Sequence, residues 1–450
     1  MAFNPLALTH SWNLALVSSG FACFKRLFCP ILFALSVLVA TCAKAQEQYG
    51  LGWQIGSQVE HEENLFLKPA NQANSDTILG SIAAVDYRKR YSLQTFQIKA
   101  KVTDVRYDRF DYLDYLGKDL DAAWLWALTP ELTGTLSSSR QEGLNSFVDY
   151  DGSKRNLRKE RKDALDVRWR VSGGWHLAAG ANQSAVRNTL GGERFAEGDY
   201  TANNAEYGFM YSFPSQSQIT LVQMLQSGEY RSRTLSNLSQ FDSGFDQTSP
   251  ELRVDWRLSG KSALNIKLGH LNREHDHFPL RDYSGTYGSA DYLWYNGGKL
   301  KIKLNARQNY NSFQSSPQRD LIDALAGRDY YNASFYRSQV LSIAPTWQLL
   351  DKVSISGKLQ QEERDYQGGL LTGAQLRSQQ DTGGFCISPP CGPQLRTRQD
   401  TLRQGTLSLD WVPRDVVALS LHVSRQERDS NMPTADFTDE SIGMSAVLSF

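Results

Sequence analysis

The chain has 450 residues, with 48 basic and 48 acidic side chains and a mean hydropathy of −0.46. That balance argues against a nucleic-acid partner, which would call for a basic excess. Gly, Tyr, Phe and Trp are plentiful (34, 20, 20 and 10), long helical blocks are hard to find, and no Pro/Ser-rich linker divides the chain, so one large β domain is expected.

The first distinct segment is the apolar run "LFCPILFALSVLVATCAKAQ". Lys25 and Arg26 precede it and a small-x-small pattern follows, which reads as an export signal over 1–45, cut after Ala45. A lipoprotein anchored at Cys42 is the alternative, although Thr41 is a poor residue to precede a lipidated cysteine. The stretch before the run is long for a basic leader, so translation could also begin downstream of Met1. After the signal no stretch approaches the ~18 apolar residues a spanning helix needs. If residues 46–450 enter a membrane, they must do so as a closed β-barrel.

Along those residues one plan recurs: an aromatic residue, a tight turn, then a new alternating run. "WALTPELTGTL", "WRVSGGWHLAAG", "WRLSGKSALNIKLG", "WYNGGKLKIKLN", "WQLLDKVSISGKL" and "WVPRDVVALSL" carry it with Trp126, Trp169, Trp256, Trp294, Trp347 and Trp411. "YRKRYSLQTF" and "YSFPSQSQITL" repeat it with Tyr87, Tyr211 and Phe213. Short turns are expected near 89, 130, 173, 214, 260, 297, 350 and 413. Longer polar loops are expected around 63–75, 144–162, 312–334 and 367–397. Eight short turns separating nine hairpins make about eighteen antiparallel strands, the even-numbered plan of an outer-membrane barrel. The six tryptophans then form a girdle at the membrane–water boundary. A Trp-rich soluble β-protein would alternate too, but it would not explain rings recurring just before the short turns.

Within the strands, period-two alternation sorts side chains by face. In "ALDVRWRVSG", Leu165, Val167, Trp169 and Val171 oppose Asp166, Arg168 and Arg170. In "ELRVDWRLSG", Leu252, Val254, Trp256 and Leu258 oppose Arg253, Asp255 and Arg257. In "KLKIKLNARQ", Leu300, Ile302, Leu304 and Ala306 oppose Lys301, Lys303 and Arg307. With Lys99, Lys101 and Lys358, these charges are the candidate lumen lining and polymer path. Arg or Lys on the lipid face at midplane would cost roughly 2–4 kcal/mol. The lining charges could form a structural ladder or a mildly cationic pore for anionic sugar chains.

"NREHDHFPLRDYSG" brings together Glu274, His275, Asp276, His277 and Asp282. His275 and His277, two apart, are expected on one strand face, but no third metal ligand is evident. There is no nucleophile elbow or phosphate-binding glycine loop. No catalytic residue, metal or cofactor is therefore assigned, and the chain reads as a non-enzyme. Acidic and aromatic residues crowd the outer loops in "RYDRFDYLDYLGKD", "QEERDYQGG" and "RQERDSNMPTADF". They would either stack on sugars or pack the loops together. Cys386 and Cys391 in "FCISPPCG" are expected to form a disulfide in an exported loop. The chain closes on "ESIGMSAVLSF", with Ile442, Met444, Ala446, Leu448 and Phe450 on one face. This resembles the terminal signature that outer-membrane assembly machinery reads, with Phe450 as the signal.

The stretches "YSLQTFQIKAKVTDVRYDRFDYLDY", "AAWLWALTPELTGTLS", "GGWHLAAGANQ", "SGKSALNIKLGHLNREHDHFPLRDYSG" and "RDSNMPTADFTDESIGMSAVLSF" resemble, in order, the exosortase-associated exopolysaccharide-biosynthesis outer-membrane proteins of the EpsL type. The resemblance spans nearly the whole of 46–450. It implies a porin-like barrel in the bacterial outer membrane, in contact with outer-membrane lipid. It further implies a part in exopolysaccharide biosynthesis and export, with secreted polysaccharide and periplasmic export proteins as partners. The alternatives are a barrel that only anchors partner proteins and an outer-membrane enzyme acting on glycan or lipid. "QDTGGFCISPPCGPQ" looks like a local insertion relative to that family.

Overall fold

The computed structural model describes residues 50–148, 153–190, 199–231, 235, 242–313, 330–331, 333–368 and 395–450. The expected signal segment and the Cys386–Cys391 pair lie outside them. Twenty strands follow in chain order. The first half comprises β1 (Gly50–Glu62), β2 (Asp76–Tyr91), β3 (Gln94–Tyr107), β4 (Tyr115–Ala127), β5 (Leu132–Leu144), β6 (Leu157–Ser172), β7 (Trp175–Asn188), β8 (Tyr200–Ser212), β9 (Gln218–Tyr230) and β10 (Gly244–Ser259). The second half comprises β11 (Ser262–His275), β12 (Tyr283–Tyr295), β13 (Leu300–Ser312), β14 (Tyr330–Tyr331), β15 (Phe335–Leu350), β16 (Val353–Gln367), β17 (Leu395–Arg396), β18 (Gln399–Arg414), β19 (Val417–Ser430) and β20 (Phe437–Ser449).

Eighteen of these form one antiparallel sheet in which each strand pairs with the next and β20 pairs with β1. The sheet is therefore a closed barrel without a free edge. The two-residue strands β14 and β17 stand apart and pair only with each other, in parallel. At the seam, Trp53 and Phe450 exchange backbone hydrogen bonds of 2.9 and 2.8 Å.

Alternation places the apolar positions outward. Leu341 and Leu359, for example, are 66% and 64% exposed. Large aliphatic side chains bared around a whole circumference need lipid to cover them, and only a closed sheet satisfies its backbone there. The chain is a transmembrane barrel of the bacterial outer-membrane type. All tryptophans among the described residues point outward near the short-turn end. The six expected ones are joined by Trp53, Trp124 and Trp175.

Eight turns of two to five residues join strands at that end. Six lie where the sequence places them, and two are displaced. The first turn is Ser92–Leu93 rather than near 89, with Ser92 in the left-handed region (φ 55°). The last spans 415–416, and Pro413 sits inside β18 at a register shift between Trp411 and Arg414. Similar shifts adjoin the β6–β7, β10–β11 and β15–β16 turns, where bulges let a strand twist into a tight reversal. At the other end the second long loop is shorter than expected: β6 begins at Leu157, so residues 157–162 belong to the wall. By the plan of such barrels the short turns are periplasmic and the long loops external.

Candidate functional site: the lumen wall and its outer closure

Strand register places the predicted lining charges on the inner face. Four of them, Lys99, Lys101, Arg170 and Arg253, are paired with carboxylates. Lys99 pairs with Asp86 (3.3 Å) and Lys101 with Asp119 (2.7 Å). Arg253 reaches Glu206 on β8 (2.8 Å) and Glu251 on its own strand (2.5 Å). These are rungs between strands, each worth little in a wet lumen. Asp166, Arg168 and Asp255 share the inner face. Arg170 and Arg257 do too, but next to the short turns. Arg170 pairs with Glu131 of the β4–β5 turn (3.1 Å), and the Arg257 N–H donates to Ser217 Oγ (3.1 Å). Those two line the periplasmic mouth rather than the middle of the lumen.

The wall formed by β13, β15 and β16 is different. Lys301, Lys303 and Arg307 project inward from one strand, and Lys303 stands opposite the small side chain of Ala344. Lys358 follows on β16, opposite Thr406. Among the described residues no carboxylate comes within ion-pair reach of any of the four. Elsewhere, near the long-loop end, β1, β2 and β20 turn Glu60, Glu62, Asp76 and Asp439 inward. The lumen is thus basic on one wall and acidic on another. The acidic group lies towards the long loops and the basic one towards the short turns, and a field of this kind orients and selects charged solutes in a narrow passage.

Among the described residues, loops fold into the outer mouth. Leu65 and Phe66 of the β1–β2 loop, Leu113 of the β3–β4 loop and Phe147 of the β5–β6 loop form a buried core with Val105 and Tyr107. Phe66 meets Phe110 and Phe147 edge-on at 4.8 and 5.1 Å. The Asp76 carboxylate accepts the backbone N–H groups of Thr77, Arg109 and Phe110 (2.7–3.1 Å), pinning one loop to the next. The β5–β6 loop then crosses the mouth. Arg428 Nη1, on β19, donates to the Val148 carbonyl (2.6 Å). Ser146 and Val148 line a recess of about 220 Å³ with Gln360, Glu362, Gln404 and Gln426 of the far wall. Of the two readings of the acidic and aromatic loops, packing of loop against loop is what the geometry realises for Phe110, whereas Tyr366 belongs to β16 and packs on Tyr336 and Phe313. The crossing itself was not foreseen. Its one sequence signal is the apolar pair Phe147–Val148 inside a polar loop.

A second aromatic arc follows the inner wall at the same height. Tyr200, Tyr230, Phe245, His275, Tyr283 and Phe335 lie ring to ring at 4.6–6.5 Å. Arg273 lies 3.8 Å from the Phe245 ring centre. This arc takes up His275, whose backbone N–H and Nδ1 both meet Asp282 (2.7 and 3.3 Å). β11 ends there, so His277 does not share its face, contrary to the spacing argument. His277 instead meets Asp242 from the preceding loop (3.1 Å). With Asp276 these two offer ligand atoms within 4.8 Å of one another. The Asp242 oxygens, however, are occupied by the N–H groups of Ser243, His277 and Phe278 (2.7–2.8 Å). Burial opposes ionisation of Asp242, but those donors outweigh it and hold its carboxyl below the usual range. Burial, then the nearby Asp242 charge, pushes Asp276 up. The cluster reads as a staple between two loops.

No protein-family profile and no curated protein sequence matches the chain. Solved structures with a similar course include OpdK of Pseudomonas aeruginosa with vanillate (12% identity, 89% of this chain and 99% of that one, TM-score 0.45). OprD of the same organism has 10% identity, 91% and 97% coverage and a TM-score of 0.43. The siderophore receptor PirA, again from Pseudomonas aeruginosa, has 11% identity, 90% and 81% coverage and a TM-score of 0.42. Identity and superposition are both low, and the functional reading rests on this chain's own residues.

Proposed function

We propose that this porin-like barrel takes part in exopolysaccharide biosynthesis and export, as a conduit or docking barrel through which secreted polysaccharide crosses the outer membrane. The observation that carries this reading is the inward cluster of Lys301, Lys303, Arg307 and Lys358 on neighbouring strands, without the carboxylate partners that Lys99, Lys101, Arg170 and Arg253 have. A file of cations running along one wall of a closed lumen suits an anionic chain that must be held loosely enough to slide. The exosortase-associated sequence resemblance supplies the polymer class. Periplasmic export proteins would deliver the chain to the turn end, and the assembly machinery would read Phe450. No catalytic step is part of this reading.

The packed outer closure favours a second reading, a barrel that anchors partner proteins and conducts little. Planar-bilayer conductance separates the two. The variant Lys301→Gln, Lys303→Gln, Lys358→Gln should reach normal membrane levels, lose anion preference and export less polymer. Normal levels with unchanged ion preference and unchanged export would remove the cationic wall from the mechanism and leave the anchoring role.

A further inference from the structure

The outer surface carries a feature that a passive lipid belt does not require. Leu136, Leu165, Ala181, Ala205 and Leu225 stand side by side in one register row across β5 to β9, all facing lipid. The two alanines leave a trough between the leucines, part of a shallow groove of about 810 Å³ whose outer end is lined by Asp163, Gln183, Asn203, Ser227, Asp246 and Thr248. Four residues further along the strands, about 13 Å towards the long loops, Arg140 and Arg161 stand directly opposite one another. Like charges in register repel. Here both guanidiniums converge on Asp163, at 2.9 and 2.6 Å. One carboxylate cannot neutralise two guanidiniums, so the pair keeps a positive surplus. Lys159 lies one step further out, paired with Glu142 (2.8 Å). At the level of Arg161, β8, β9 and β10 offer Thr201, Glu229 and Gly244 instead. Across this stretch of wall the cations at that level thus lie on β5 and β6; Arg337, Arg403 and Arg425 also face outward on the opposite wall, each with a carboxylate of its own strand or the next.

We propose that this face seats one phosphorylated, multiply acylated glycolipid of the outer leaflet, with acyl chains in the Ala181–Ala205 trough and a headgroup phosphate on Arg140 and Arg161. Planar guanidiniums bind phosphate oxygens in pairs. The trough beside them, with Leu136 and Leu165 on their own strands and Ala181 and Ala205 on the next two, selects a lipid-borne phosphate over a free one. The seat lies outside the lumen and holds whether the barrel conducts or anchors.

Native mass spectrometry of the detergent-purified barrel tests it, with bis-phosphorylated hexa-acyl lipid A and the same lipid A after dephosphorylation as probes. The wild type should retain one phosphorylated lipid A and bind the dephosphorylated form at least about tenfold more weakly. Arg140→Gln with Arg161→Gln should remove that difference while the heat-modifiable gel shift of a folded barrel persists. Ala205→Phe, which fills the trough, should weaken both lipids and covers the case in which the arginine variant fails to fold. Equal retention of the two lipids by the wild type would overturn the proposal. So would full affinity in the folded arginine variant, or complete displacement of lipid A by excess inorganic phosphate.

Discussion

At the periplasmic end the chain reverses in two to five residues and turns its tryptophans outward. At the external end, loops of the first three hairpins bury Leu65, Phe66, Leu113 and Phe147 inside the mouth. One end leans on the membrane boundary for its apolar contacts, and the other makes a small core of its own. The difference shows which end is bridged: among the described residues the crossing is at the external end.

The largest effect expected from this contrast concerns the crossing loop. Replacing residues 146–154 by a short Gly/Ser linker should raise single-channel conductance several-fold and leave the barrel's heat-modifiable migration intact. An unchanged conductance would place the closure elsewhere. Next comes the loop core. Leu113, fully buried, becomes a cavity in Leu113→Ala, and the loop core should lose about 3 kcal/mol. Amide exchange in 63–67 and 145–148 should accelerate while wall strands stay protected. If the wall strands loosen as well, the two ends are not independent.

A smaller effect separates paired from unpaired lumen charges. Lys99→Gln with Lys101→Gln leaves Asp86 and Asp119 without their partners, and stability should fall by up to about 1 kcal/mol per pair. Because two cations go while two carboxylates stay, cation preference should rise, as read from reversal potentials in a salt gradient. The smallest effect is at the loop staple. Asp242, held below the usual aspartate range, supports the junction above that range and loses its contribution as pH falls through the lowered value. Asp276, pushed up, does the opposite: its ionisation weakens the junction as pH rises through the raised value. Asp276→Asn should therefore slow amide exchange around 275–282 at neutral pH, and Asp242→Asn should speed it. Exchange moving the same way in both variants would break the assignment.

Most of the wall could be read from the sequence because period two reports face directly. The expected lining and girdle residues all fall on the faces assigned to them. The first turn was displaced because "YRKRY" goes on alternating past the point where a bend was expected, and Ser92 supplies the left-handed residue without a Gly or Pro to mark it. Trp124 and Trp175 escaped the girdle pattern because Trp124 lies two residues ahead of the repeating position and Trp175 follows its turn. The distinction between the paired Lys101 and the unaccompanied Lys303 was out of reach, since it depends on which residue of the next strand lies opposite. The crossing loop was out of reach too, because Phe147 meets Phe66 and the Val148 carbonyl meets Arg428 only after the sheet has closed on itself.

The exchange between Trp53 and Phe450 has a kinetic consequence. Every other pairing in the barrel joins strands that are neighbours along the chain, apart from the two short strands outside the wall. The β1–β20 seam joins residues about 400 positions apart, a closure whose entropic cost precedes any contact that rewards it. Its nine facing residues are one more than in the β12–β13 pairing, so its distinction is sequence separation and not length. The hairpins can therefore zip locally and early while the seam forms last, and in pulse-labelled refolding amide protection should appear latest along Gln54–Glu62 and Ser441–Ser449.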